Sequence, residues 1–259
     1  MSPAYIPGHT LIGSGPRKVL VFHGWFGDYS VWEPTFTAMD TAAFSYCFID
    51  YRGYGKSASQ SGHYTMSEIA ADANRLVLEL GWHELHVVGH SMGGMAMQRF
   101  MLDCDPRITV RSACGVTPVP ASGGQLDADS WQLFEGAVTR DENRYAILDF
   151  TTGKRLSPVW LQRMVANSRT QTSEAAYGGY LRAWARENFA DEISAIHTPM
   201  QVLVGAFDAA ITADVMRATY LSGYPQCGLE ILADAGHYPM QETPIHLVTL
   251  MEAFMRQHS

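Results

Sequence analysis

The motif Gly89-His-Ser-Met-Gly93 places a serine between a run of apolar residues and a helical pattern. Where a strand turns this sharply into a helix, the serine hydroxyl projects clear of the backbone, and the flanking glycines let neighbouring elements approach closely. A serine hydroxyl is a weak nucleophile at neutral pH, so it must give its proton to a base. We therefore predict that Ser91 is a nucleophile whose base comes from elsewhere in the chain.

His237 is the predicted base among the ten histidines. It lies in the loop motif Ala235-Gly-His-Tyr-Pro239, after the last predicted strand and before the last predicted helix. His90 adjoins Ser91, but neighbouring side chains on a tight turn point apart, so we do not expect His90 to reach the hydroxyl. Four other histidines are expected at the surface or in packing positions: His9, His83, His86 and His258.

A carboxylate is needed to hold the imidazole in the correct tautomer and to stabilise its charged form. Asp208 follows the predicted strand at residues 200–205, which places it at the carboxyl edge of a parallel sheet. The chain order is then serine, aspartate, histidine, which is one of the known orders for such triads. We predict Asp208 as the third member, with Asp214 as the alternative carboxylate.

Attack on a carbonyl group would place negative charge on its oxygen, which two preorganised N–H donors can stabilise. One predicted donor is the backbone amide of Met92, the residue after Ser91 at the start of a helix. The second is the amide of Trp25, in the loop after the first predicted strand. The indole of Trp25 would then form a wall of the acyl pocket.

Short apolar runs alternate with helical patterns along the first two-fifths of the chain, as in parallel βα units. A capping box at residues 65–68 and a glycine at 81 predict the start and end of one helix, and an amphipathic pattern predicts a last helix over 244–257. Strands are predicted at residues 19–23, 46–50, 85–89, 109–116, 200–205 and 228–232. We predict an α/β fold whose mostly parallel sheet is flanked by helices.

Residues 122–190 contain short helical patterns and no convincing strand. We expect a helical cap (lid) here, inserted between two core segments, 1–121 and 191–259. A minority of its aromatic residues should face the pocket over Ser91, and the others should pack the cap. These aromatic residues are Trp131, Phe134, Tyr145, Phe150, Trp160, Tyr177, Tyr180 and Trp184.

Seven arginines of the same segment are interpreted as lying on solvated helix faces. The alternative is that an arginine at the pocket mouth anchors a carboxylate. The seven are Arg140, Arg144, Arg155, Arg163, Arg169, Arg182 and Arg186.

The composition indicates a globular protein with a sizeable core, since 47% of the 259 residues are hydrophobic and the net charge is −8. No basic stripe is present, so we expect no nucleic-acid partner. No run approaches ~20 apolar residues, so we expect no membrane span, and the N-terminus has no signal-peptide pattern. The four cysteines are not spaced as in a disulfide scaffold or a zinc site: they are Cys47, Cys104, Cys114 and Cys227. We expect a cytoplasmic protein with no metal or other cofactor, and the sequence predicts no oligomeric state.

Five motifs occur in the order typical of the α/β-hydrolase family: His23-Gly-Trp25, Asp50-Tyr-Arg-Gly-Tyr-Gly-Lys-Ser57, Gly89-His-Ser-Met-Gly-Gly94, Gly205-Ala-Phe-Asp208 and Gly236-His237. Over about residues 20–120 and 198–257 the chain resembles this family, and within it the small capped serine esterases, cofactor-free haloperoxidase-type enzymes and pimelyl-ester esterases. The resemblance implies that Ser91 is acylated and that water then deacylates it. It also implies that Asp50 and Arg52 brace a loop, and that His23 holds the loop of Trp25.

Epoxide hydrolases and haloalkane dehalogenases share this architecture but carry aspartate at the nucleophile position. Ser91 therefore excludes their alkyl-enzyme chemistry. The family's alternative acid position, near Val116, holds no carboxylate here, which favours Asp208 further.

The leading prediction is hydrolysis of a carboxylic ester with a small-to-medium apolar or aromatic portion, so the expected partner is a small-molecule substrate. Lactone opening, carbon–carbon bond hydrolysis and perhydrolysis on the same fold are alternatives. Carbon–carbon hydrolases of the family usually carry tryptophan where this chain has Tyr238. A ligand receptor that keeps the fold without turnover is the alternative from another class.

Overall fold

The protein is described here by a computed structural model of residues 5–259. Residues 1–4, part of the N-terminal segment in which no signal peptide is expected, lie outside the described residues. A seven-stranded sheet has the order β1-β3-β2-β4-β5-β6-β7, and all neighbours are parallel except β1, which is antiparallel to β3. The strands are β1 His9–Ile12, β2 Arg17–Phe22, β3 Phe44–Ile49, β4 Glu84–His90, β5 Thr109–Val116, β6 Met200–Gly205 and β7 Cys227–Leu232.

Nine α-helices are present within the described residues: α1 Met66–Glu79, α2 Met92–Leu102, α3 Ala128–Gly136, α4 Asp141–Thr151, α5 Pro158–Thr170, α6 Glu174–Arg186, α7 Ala213–Met216, α8 Pro239–Glu242 and α9 Pro244–Gln257. The central strands are buried because helices flank the sheet, which explains their continuous apolar runs. The predicted α/β class is confirmed, and the predicted strands agree with β2–β7 to within about two residues at most ends.

Several short elements were not predicted, including α7, α8 and the two described next. The edge strand β1 has only four residues, and a 3₁₀ helix at Tyr29–Ala38 follows the loop that carries Trp25. The capping box of α1 is also built differently from the expected form. The Thr65 hydroxyl accepts a hydrogen bond from the amide of Glu68, but the Glu68 carboxylate reaches the amide of Tyr64 instead of that of Thr65.

Helices α3–α6 occupy the segment between β5 and β6 that was predicted as a cap, residues 122–190, and all of this segment is described. One of its arginines lies in its interior, contrary to the expectation of solvated arginines. Arg144 is buried, donates to the carbonyl oxygen of Ala137 and the hydroxyl of Ser168, and lies over the ring of Tyr177. The guanidinium therefore links α4 to the end of α3, to α5 and to α6.

The pH dependence of stability can be predicted from three buried histidines. Burial lowers the pKa of His23 and of His86 to about 4 and holds that of His90 well below its ordinary value. Below pH 6.5 the unfolded chain takes up protons that these histidines do not bind in the folded protein, so each one makes stability fall as the pH drops. For His23 and His86 this fall continues to about pH 4.

The variant His86→Gln isolates one of these groups, because the His86 ring contacts Ser112 and none of the residues predicted as a triad. Between about pH 4 and 6.5 its free energy of unfolding should fall less steeply than that of wild type, by about 1.4 kcal/mol per pH unit. Urea unfolding at several pH values measures both slopes. Equal slopes would show that His86 takes up a proton at the same pH in the folded protein as in the unfolded chain.

Candidate active site

Ser91 lies at the turn between β4 and α2, where the sequence predicts a nucleophile. Its φ of 53° falls in the left-handed region, which a non-glycine residue adopts only when its surroundings enforce it. A Cβ at Gly89 would lie 2.4 Å from the carbonyl oxygen of Gly93, and one at Gly93 would lie 2.5 Å from that of His23. The two motif glycines are therefore required by close backbone packing around the serine.

The three side chains predicted as a triad lie together. The Nε2 atom of His237 is 2.9 Å from the Ser91 hydroxyl oxygen, and its Nδ1 atom is 2.6 Å from Oδ2 of Asp208. Both His237 and Asp208 are buried. A neutral imidazole that donates Nδ1–H to the carboxylate leaves Nε2 as an acceptor for the serine proton, which is the protonation pattern that activates a hydroxyl.

Asp208 is held by the backbone that follows it. Its Oδ1 atom accepts hydrogen bonds from the amides of Ala210 and Ile211, both at 2.9 Å, which leaves Oδ2 for His237. The alternative carboxylate, Asp214, has a side chain that is 90% exposed and pairs with Arg217. The geometry therefore favours Asp208 over Asp214.

His90 and His23 support the backbone around the site. The Nε2 atom of His90 donates to the carbonyl oxygen of His237 at 2.8 Å, so His90 contacts the loop of the predicted base and not the serine hydroxyl. His23 donates from Nδ1 to the carbonyl oxygen of Gly24 and accepts from the amide of Tyr51. Because burial lowers the pKa of both histidines, they are neutral at pH 7.

The loop after β2 passes directly beside the nucleophile, since a Cβ at Gly24 would lie 3.3 Å from that of Ser91. Trp25, the next residue, is fixed from two sides. Its carbonyl oxygen accepts from the Tyr54 hydroxyl at 2.9 Å, and its indole N–H donates to the carbonyl oxygen of Tyr177 in α6 at 2.8 Å. Met92 is the first residue of α2, where helical N–H groups have no partner within the helix.

Asp50 and Arg52 brace the loop after β3, as the resemblance implies. The Asp50 carboxylate accepts from the amides of Tyr29 and Lys56, and burial raises its pKa to about 7. Arg52 forms a two-point hydrogen-bonded pair with Asp72 of α1. Neither residue is among those that line the cavity at Ser91.

A cavity of about 330 Å³ opens over Ser91 and His237. Its walls are largely apolar and aromatic, and they include Trp25, Phe26, Phe134, Ile147, Trp184 and Tyr238. Across the described residues, no Lys, Arg, Asp or Glu side chain lines it. The cavity is therefore suited to a neutral, apolar group, and none of the seven cap arginines is a carboxylate anchor in it.

Two of the eight predicted cap aromatics, Phe134 and Trp184, line this cavity. Trp131 does not line it, and its ring instead packs beneath the guanidinium of Arg186 at 3.9 Å. Ile147 and Thr151 of α4 also line the cavity and were not predicted from the sequence. Their i, i+4 spacing places them on one helix face, but the same spacing is equally typical of simple core packing.

The strand order, the parallel sheet and the serine turn between β4 and α2 together define an α/β-hydrolase fold. Residues 19–249 match the model of the alpha/beta hydrolase family, and the chain belongs to this family. It is therefore an enzyme of a hydrolase family, and the resemblance found in the motifs is confirmed.

Two curated relatives have names that agree with the motif resemblance. A non-heme haloperoxidase of Rhodococcus erythropolis is 25% identical over 214 residues, which is 77% of each chain. A pimeloyl-[acyl-carrier protein] methyl ester esterase of Serratia marcescens is 24% identical over 261 residues, covering 95% of this chain and 97% of the relative. Among solved structures, an esterase from Exiguobacterium antarcticum has a TM-score of 0.84 at 18% identity, covering 96% of this chain and 94% of its own.

No cluster of three or more His, Cys, Asp or Glu residues in the described part of the chain is arranged to hold a metal ion. Within residues 5–259, no helix has both the length and the apolar composition needed to cross a bilayer.

Proposed function

We propose that this protein hydrolyses neutral carboxylic esters through an acyl-enzyme formed on Ser91. The observation that carries the proposal is the continuous hydrogen-bonded series from the Ser91 hydroxyl through His237 to Asp208, at 2.9 and 2.6 Å. Its position at the base of an apolar cavity supports the assignment, because a bound ester would lie directly over the hydroxyl.

In the acylation step, the Ser91 oxygen attacks the ester carbonyl while His237 takes the serine proton. The amides of Trp25 and Met92 stabilise the negative oxygen of the tetrahedral intermediate. The C–O bond to the alcohol then breaks, and His237 returns the proton to the leaving alcohol. Water deacylates Ser91 by the same route, again with His237 as the base, and Asp208 stabilises the imidazolium in both steps.

The cavity supports a substrate of modest size without charge near the reacting carbon. Its volume of about 330 Å³ is at the lower end of ligand pockets, which span about 300–1,000 Å³. A carboxylate buried among Phe134, Ile147 and Trp184 would lose its hydration without gaining a cationic partner. We therefore propose a small-to-medium apolar or aromatic acyl group. The Serratia relative is likewise named as an esterase of a methyl ester.

Residues 122–190 are proposed to act as a cap that shapes this cavity from above, because Phe134, Ile147 and Trp184 come from α3, α4 and α6. A cytoplasmic location is also part of the proposal. It is supported by the four free cysteines, which suit a reducing compartment.

A panel of p-nitrophenyl esters tests the proposal. Multiple turnovers are expected with neutral acyl chains, together with a kcat/KM at least about tenfold lower for chains of equal length that end in a carboxylate. Lactones and dienone acids in the same panel test the other reactions of the fold. A single stoichiometric release without turnover would indicate a receptor, and a preference for the charged chains would contradict the proposed substrate class.

Trp184 and Trp131 provide a matched pair for the role of the cap. Trp184→Phe enlarges the cavity, so the ratio of kcat/KM for long over short acyl chains should rise by about tenfold. Trp131→Phe makes the same change on a residue that does not line the cavity, and this ratio should stay at the wild-type value. An equal shift in both variants, or no shift in Trp184→Phe at an unchanged melting temperature, would remove Trp184 as a determinant of specificity.

A further inference from the structure

The loop that carries His237, residues 233–238, is held by one buried carboxylate. Glu242, the last residue of α8, accepts a hydrogen bond from the amide of Gly236 at 2.8 Å and another from the amide of Tyr238 at 3.0 Å. Its side chain is 2% exposed. A single carboxylate therefore fixes the peptide groups on both sides of His237.

The segment 122–190 supplies further hydrogen bonds to this loop. The amide of His237 donates to the carbonyl oxygen of Thr151, at the end of α4, at 3.1 Å. Arg155, four residues further along, donates to the Glu242 carboxylate at 2.8 Å and to the carbonyl oxygen of Asp234 at 3.0 Å. The three consecutive amides from 236 to 238 are thus all held by Glu242 or by the cap.

Arg155 also reaches the loop that carries the acid. Its guanidinium lies 4.1 Å from the centre of the Phe207 ring, and Phe207 directly precedes Asp208. The amide of Phe207 in turn donates to the carbonyl oxygen of Ala235 at 2.9 Å. One cap arginine therefore contacts both loops that bring the proposed base and acid together.

We infer that Arg155 and Glu242 form a clamp that positions His237 against Ser91 and Asp208, so that the cap supports the catalytic geometry as well as shaping the cavity. Both are positioning residues, since neither lines the cavity. The inference rests on the proposed function for its kinetic effect. Removing Arg155 leaves the buried Glu242 charge without its cationic partner, which a buried carboxylate tolerates poorly. A shift of about 1 Å in a catalytic group can cost about 10²-fold in rate.

Arg155→Met is therefore expected to lower kcat by about 10²-fold with a smaller change in KM, because Arg155 itself does not line the cavity. Arg155→Lys should restore most of kcat, since an ammonium can still reach Glu242. The control is Arg169→Met, which removes another cap arginine of similar exposure, 24% against 29%, whose partners Asp141 and Glu174 lie within the cap. This control should keep the wild-type kcat.

The double variant tests whether the two residues act together. Glu242→Gln keeps only one acceptor oxygen for two amides, so it too should lower kcat. If Arg155 acts through Glu242, the variant Arg155→Met/Glu242→Gln should lose no more than the larger of the two single losses. Losses that multiply, or an unchanged kcat in Arg155→Met, would overturn the clamp.

Two readouts separate the clamp from the proposed substrate class. The rate at which a fluorophosphonate labels Ser91 depends on His237 but not on ester recognition, and it should fall in Arg155→Met and recover in Arg155→Lys. If wild type is labelled but hydrolyses no ester, the proposed substrate class fails and the labelling rate still tests the clamp.

Hydrogen exchange of the amides at 236–238 should accelerate in Arg155→Met but not in Arg169→Met. Unchanged exchange would contradict the clamp whatever the enzyme acts on.

Discussion

Replacing Ser91 with alanine is expected to lower kcat for ester hydrolysis by about 10⁶-fold, as when the nucleophile of a comparable triad is removed. The loss should be this large because the proposed acyl intermediate cannot form without the Ser91 hydroxyl, and His237 alone contributes little once that hydroxyl is absent. The melting temperature should change little, since within residues 5–259 the Ser91 hydroxyl forms a hydrogen bond only with His237. Steady-state kinetics with a p-nitrophenyl ester measures the effect.

Ser122→Ala is the matched control, because it removes another hydroxyl that lines the same cavity. It should retain most of the wild-type kcat. Ester hydrolysis by Ser91→Ala at a rate close to wild type would rule out the acyl-enzyme mechanism and would require water to attack the substrate directly.

Asp208→Asn is expected to lower kcat by about 10⁴-fold without unfolding the protein. The asparagine oxygen can still accept from the amides of Ala210 and Ile211, which preserves the local fold. Its amide group would then donate to Nδ1 of His237, and the imidazole would carry its own proton on Nε2. In this tautomer His237 cannot accept the proton of Ser91.

Asp214→Asn makes the same change on an exposed carboxylate and should keep the wild-type kcat. Thermal unfolding of both variants separates a catalytic defect from a loss of structure. If Asp214→Asn were the inactive variant while Asp208→Asn remained active, the carboxylate would be misassigned.

The central strands could be predicted because both faces of each strand must be apolar. A strand of a parallel sheet is buried on both faces, so it appears in the sequence as an unbroken apolar run, as at β4 and β6. The glycines around Ser91 are required because backbone segments pack closely there. This requirement is visible in the sequence as the glycine-rich motif around the serine. Strand ends also indicated where Asp208 and His237 would meet.

The edge strand β1 left no such pattern. It has four partly exposed residues and pairs on one side only, with β3. Its formation depends on long-range pairing that a local pattern does not encode. The 3₁₀ helix at Tyr29–Ala38 was missed for a similar reason, since it contains Pro34 and lacks a helical apolar stripe.

The cap was the least predictable region in detail. Trp131 and Trp184 are equivalent in sequence terms, but the packing of four short helices directs one toward the cavity and the other beneath Arg186. Arg155 was likewise one of seven arginines with no distinguishing neighbour. Its contact with Glu242 joins residues 87 positions apart, so only the three-dimensional structure could identify it.

The assignment of Ser91 as a nucleophile activated by His237 is tested most directly by a fluorophosphonate probe followed by peptide mass spectrometry. Wild type should take up one probe per chain, on the peptide that contains Ser91, and esterase activity should fall in proportion to labelling. His237→Ala should be labelled far more slowly, because the hydroxyl then has no base. Labelling at a different serine, or full esterase activity after Ser91 has been completely labelled, would contradict the account.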